Sequence, residues 1–121
     1  KPWHFTVLKH ETMMNEFITN ITPGNVIIII SGKVSQTGAT PDFDCGLATQ
    51  NMFVAATSMG LGARIYGGPV AAARDKREAL QIPEGFQPVI MLRVGNIVKG
   101  TDAVSGASPR KAKDEIVNWI R

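Results

Sequence analysis

A chain of 121 residues that is 44% hydrophobic and 19% charged has the size and balance of a single globular domain with a packed core. Its one cysteine, Cys45, excludes an intramolecular disulfide framework and points to a reducing compartment. The net charge of +3 and the pI near 9.3 suit an anionic ligand, but lysine and arginine form no dense stripe and no base-stacking aromatics lie between them, which argues against a nucleic-acid partner.

Residues 3–8, Trp-His-Phe-Thr-Val-Leu, alternate loosely between bulky apolar and polar and are rich in β-formers, so a strand is expected. Residues 12–17 are a short helix candidate with Thr12 as its cap. Pro23-Gly24 breaks the chain, and residues 25–31 then carry Val-Ile-Ile-Ile-Ile, the β-branched run of a strand buried on both faces. Residues 32–41 read as a polar loop.

The longest helix is expected from Asp42 or Asp44 to Met59, with either aspartate as cap and Gly60 just past its end. Leu47, Ala48, Phe53, Val54, Ala55, Ala56 and Met59 fall on nearly every side of it, the pattern of a helix buried in a core or between subunits. Residues 61–66 are short and extended, and Gly67-Gly68-Pro69 turns the chain. Pro69 is placed to open a helix running to about Leu80. Residues 89–94 form the second clear strand, stopped by Gly95. Residues 100–109 are loop, and 111–120 fit either a last helix or an extended arm.

No stretch approaches the roughly 20 apolar residues that cross a bilayer. Lys1-Pro2-Trp3-His4 has neither the basic nor the apolar region of a signal peptide, so a soluble cytoplasmic protein is expected, with no membrane partner. The chain opens at Lys1 without an initiator Met, directly inside a strand-like segment, as a fragment or the ordered part of a longer protein would.

Several site chemistries find no footing. Gly60, Gly62 and Gly67 have the wrong spacing for a dinucleotide fingerprint, which needs glycine where Ile65 stands, and they follow a helix instead of a strand. His4 and His10, six apart and far from Cys45, give no tetrahedral metal set. Cys45 at a helix start reads as a small core residue before a reactive thiolate. No nucleophile elbow or phosphate loop occurs.

Residues 44–52, Asp-Cys-Gly-Leu-Ala-Thr-Gln-Asn-Met, followed by Ala55-Ala56 and by Met59-Gly-Leu-Gly62, resemble the central helix of the nitroreductase family, whose pattern runs D-x-G-x-A-x-Q-N-x, A-A, G-L-G. Pro2-Trp3-His4-Phe5 looks like that family's Q-P-W-x-F strand, with Lys1 where the glutamine would be. Leu80-Gln-Ile-Pro83-Glu-Gly85 is similar to its L-G-I-P-x-G turn, and Val89 to Gly95 to the strand after it. Ser108-Pro109-Arg110 resembles its basic phosphate-binding element. Together these motifs span almost the whole chain. The family's Arg-rich first helix and the Ser/Asn stretch that follows it have no counterpart in these 121 residues, and the segment between Phe17 and Pro23 is short for the family. Residues 1–121 therefore read as one nitroreductase-like domain without its N-terminal part.

The resemblance implies an α+β fold, with a mixed or antiparallel sheet flanked by helices and a long buried central helix. It also implies FMN at a homodimer interface, with hydride passing from NAD(P)H to a nitroaromatic, quinone or similar acceptor in two half-reactions. A non-catalytic flavin-binding protein on the same scaffold is the alternative. The implied cofactor-binding residues are Ile65, Tyr66, Gly67 and Gly68 at the ring, and Ser108 and Arg110 at the phosphate. Glycines at 67 and 68 would let backbone approach the ring, and the planar fork of Arg110 suits a phosphate. Lys111 and Lys113 read as surface charges. Arg64 is a candidate for the ring edge that gains negative charge, against an ordinary structural role. No catalytic side chain and no metal are expected.

Overall fold

The computed structural model describes residues 2–38, 41–97 and 110–121. Four strands, β1 (Trp3–Leu8), β2 (Val26–Lys33), β3 (Gly62–Tyr66) and β4 (Phe86–Gly95), form one sheet in the order β1-β2-β4-β3. Every pairing is antiparallel, so the open choice between mixed and antiparallel resolves to the latter. The fold is α+β.

The isoleucine run explains why β2 is central. Ile27, Ile29 and Ile30 are fully buried, and each such side chain contributes about 1.5–3 kcal/mol by leaving water. Its neighbour β4 begins at Phe86, earlier than expected, and passes through Pro88. A proline cannot donate to a ladder, yet β4 lies between β2 and β3. The register supplies the reason: Ile30 faces Ile90 and Ser31 faces Pro88, so Val89 is an extra residue in a bulge. The Pro88 carbonyl accepts from Arg74 Nε at 3.0 Å.

One face of the sheet carries α1 (Glu11–Asn15) and α3 (Val70–Asp75) over a core of Leu8, Met14, Ile18, Ile27, Ile29 and Met91. The other carries α2 (Asp42–Ser58) over Ile30, Cys45 and Leu92, with Trp3, Met52 and Phe53 packed beside them. Among the described residues, no helix is long and apolar enough to cross a membrane.

Three helical expectations need correction. First, α1 starts earlier than Thr12 and is capped by His10, whose Nδ1 accepts from the Met13 N–H at 3.2 Å; an imidazole here does the work assigned to a hydroxyl. Second, α3 stops at Asp75 instead of near Leu80. Residues 76–81 continue as turns, with Gln81 at a φ of 55°, because Leu80 and Ile82 must both reach the core. Pro69 is the residue before this helix. Third, α2 is not buried all round within one chain. Phe43, Leu47 and Val54 are 79%, 54% and 53% exposed. Pro41 holds the cap position, and Asp42 and Asp44 lie inside the first turn, where both add the negative charge that the helix dipole favours.

The far end of α2 matches the expectation closely. Gly60 takes a φ of +80°, its N–H reaches the Thr57 carbonyl at 3.0 Å, and the Leu61 N–H reaches that of Ala56 at 3.0 Å. This is a Schellman stop, and it aims the chain straight into β3. After Arg110, the C-terminal segment contains only a four-residue helix, α4 (Lys113–Ile116), and is exposed throughout.

Candidate functional site

Two features meet at β3, which among the described residues is an edge strand paired to β4 alone. At its C-terminal end Ile65 and Tyr66 run into Gly67-Gly68-Pro69, where the Val70 N–H closes back on the Gly67 carbonyl at 3.2 Å. Both glycines are exposed. A Cβ built on either meets nothing within 4 Å, so this backbone faces open space.

The second feature is a cavity of about 470 Å³ at the other end of β3, beneath the end of α2. Phe53, Leu61 and Ile97 give it apolar walls, and Arg64, Tyr66 and Arg93 give it polar ones. Tyr66 is common to the cavity and the glycine turn.

The cavity's rigidity comes from Arg93. Its Nε donates to Asn25 Oδ1 at 2.9 Å, its Nη2 to the Asn20 carbonyl at 2.7 Å and its Nη1 to the Tyr66 hydroxyl at 3.4 Å. Asn25 Oδ1 also accepts from the Thr22 N–H at 3.1 Å. One guanidinium thus ties β4, β3 and the loop before β2 together. All three of its acceptors are neutral. Arg64, which is exposed, lies with its guanidinium carbon 5.2 Å from the centre of the Tyr66 ring, a cation–π contact.

Of the residues expected at the cofactor, Ile65, Tyr66, Gly67 and Gly68 are consecutive, the first two closing β3 and the two glycines forming the open turn after it. Arg110 is exposed at the start of the C-terminal segment and makes no hydrogen bond or ion pair among the described residues. Ser108 lies outside the described residues. The sequence reading missed the Arg93 knot, although a signal was present: Arg93 is the single charge in the apolar run 89–94, and Asn25 the polar residue heading another.

Cys45 is buried under Gly32. Burial, and then the nearby negative charges of Asp42 and Asp44, push its thiol above the ordinary 9.0. That is the opposite of an activated thiolate. His4 packs against Phe86 with ring centroids 5.7 Å apart, and His10 caps α1. No group of three potential metal ligands gathers among the described residues.

The model of the nitroreductase family matches residues 20–96, well over half of the chain. This chain belongs to the nitroreductase family. A protein of Methanothermobacter thermautotrophicus named NADH dehydrogenase/NAD(P)H nitroreductase is 32% identical over 108 residues, which cover 78% of this chain and 55% of that protein. An FMN reductase (NADPH) of Bacillus subtilis is 38% identical over 73 residues, 60% of this chain and 28% of the reductase. The chain therefore spans about half of the first relative and less of the second. In three dimensions it superposes on a nitroreductase with bound FMN from Bacteroides fragilis with a TM-score of 0.73 at 18% identity, covering 99% of this chain and 76% of the other. At that identity the likeness establishes the fold.

Proposed function

We propose that this chain forms the core of a cytoplasmic, FMN-dependent oxidoreductase that works as a homodimer and passes hydride from NAD(P)H to a nitroaromatic, quinone or similar acceptor. The observation that carries the reading is the open Tyr66-Gly67-Gly68 turn on a chain of this family. Two adjacent residues without side chains, both exposed, present backbone that a flat ring can approach to hydrogen-bonding distance. The relatives named for FMN and NAD(P)H point the same way.

FMN, when bound, supplies the redox chemistry itself. The chain's part is to hold and orient it. Backbone N–H groups between Tyr66 and Gly68 orient the ring, and Ile65 lies beside them at the end of the strand. Arg110 pairs with the phosphate through its planar fork, and Ser108 adds a hydroxyl. No side chain serves as general acid or base. The exposed Phe43, Leu47 and Val54 stripe of α2 supports the dimer, since pairing two such helices would take it out of water.

The test is an absorption spectrum of the purified protein followed by anaerobic addition of NADH or NADPH. Visible flavin bands that bleach with either nucleotide support the oxidoreductase. Flavin that stays oxidised despite good occupancy would mean a binding protein without turnover. A colourless protein that also refuses added FMN overturns both.

A further inference from the structure

The cavity beneath the end of α2 is charged in a way that the glycine turn does not explain. Two guanidinium groups, Arg64 and Arg93, line it, and among the described residues no carboxylate does. The ion pair recorded among the described residues, Lys76 with Glu16, involves neither. Among the described residues Arg93 donates to three neutral acceptors, which hold its guanidinium in place without an ion pair. Because the Tyr66 hydroxyl accepts from Arg93, its own hydrogen remains free to donate to a ligand. Phe53, Leu61 and Ile97 add apolar lining that a ring can pack against.

We propose that this cavity holds the adenylate half of the reducing nucleotide, and that Arg64 reads the 2′-phosphate that distinguishes NADPH from NADH. The inference rests on the oxidoreductase reading above, and it adds where the nucleotide's second half lies and what selects it. Spacing supports it. From Gly67, at the flavin turn, to Gly62, in the cavity, is five residues of strand, roughly 16 Å at about 3.3 Å each. That is the distance an extended dinucleotide would cover if its nicotinamide stacked on a flavin held at the turn and its adenylate sat in the cavity. Arg64 is the exposed partner: among the described residues it touches the face of Tyr66 without a hydrogen bond or ion pair, which leaves the donors of its fork for a phosphate. Arg93 is a positioning residue that sets the Tyr66 hydroxyl and the local field.

The experiment uses the FMN-loaded protein and adenosine 2′,5′-bisphosphate as the probe, with adenosine 5′-monophosphate and inorganic phosphate as comparison arms. The bisphosphate is expected to bind more tightly than either, to shift the amide signals of Gly62 and Gly95, and to compete with NADPH. Arg64→Gln, at an exposed position, is expected to weaken the bisphosphate by about 10-fold or more, and to lower the NADPH-to-NADH ratio of kcat/KM by a similar factor. Unchanged bisphosphate affinity in Arg64→Gln, equal binding of all three probes, or amide shifts away from the cavity would overturn the proposal. Flavin content and reduction, measured on the same samples, keep the two readings apart. Intact, reducible flavin with an indifferent Arg64 refutes only the cavity assignment, whereas loss of flavin binding in the parent protein refutes the reading beneath it.

Discussion

Cys45 shows how far a single side chain's chemistry depends on what surrounds it. A cysteine near a helix start is a common place for a reactive thiolate, since the dipole favours the anion. Here the sulfur is fully buried, and two aspartates in the same turn oppose the charge. The folded state therefore holds the proton more tightly than the unfolded state does. A thiol raised in this way contributes stability that is complete below its ordinary 9.0 and is lost as pH rises above it, because only the unfolded chain can release the proton there. Denaturant unfolding between pH 8 and 11 should show an alkaline loss of stability with a slope of up to about 1.4 kcal/mol per pH unit from this group, and Cys45→Ala should flatten it. An identical alkaline slope in the variant would show that other groups govern it. The sequence supported the core reading of Cys45 on type alone; the reason, its place against Gly32, required the packing.

The strands were the most legible elements, and the short helices the least. The isoleucine run and the central helix carry patterns long enough to read, and their centres match. The start of α1 was hidden by its unusual His10 cap, and the end of α3 depended on which residues had to reach the core, a tertiary demand with no local signal. The joint between β4 and the loop ahead of β2 was invisible for the same reason, because Asn25 and Arg93 are 68 residues apart. That joint makes its own prediction. Gly95 closes β4 directly against Asn25, and a Cβ at this position would collide with the Asn25 side chain. Since Asn25 holds both Arg93 and the Thr22 N–H, Gly95→Ala displaces a residue with two bonds to lose. The expected cost is about 1–3 kcal/mol in denaturant or thermal unfolding. A variant as stable as the parent would mean that the loop moves aside freely and that the Arg93 knot is weak.

At the scale of the molecule, the exposed stripe of α2 bears on the proposed homodimer. Its sequence looked apolar all round because two stripes are apolar for different reasons. Cys45, Met52 and Ala56 face the sheet. Phe43, Leu47 and Val54 fall within about 40° of one another at 100° per residue and point away from it. Phe5 and Val7, 38% and 57% exposed, lie on the α2 side of the same sheet and widen the apolar surface. A patch of this kind is uncommon on a monomer, and it is continuous along a helix, so pairing of two such helices across a two-fold axis is the economical way to bury it. A charge in that stripe should then act on association before it acts on folding. Leu47→Glu, at a half-exposed position, should leave the far-UV spectrum of the chain intact while shifting its sedimentation from dimer toward monomer, by about 2 kcal/mol or more per dimer, since each copy brings one buried unpaired carboxylate. Flavin should be lost in step with the dimer if the cofactor needs both subunits, which the same samples report by absorbance. A Leu47→Glu protein that sediments as the parent does would place the contact elsewhere. The exposed stripe would then have to be covered from within the chain or by a different protein.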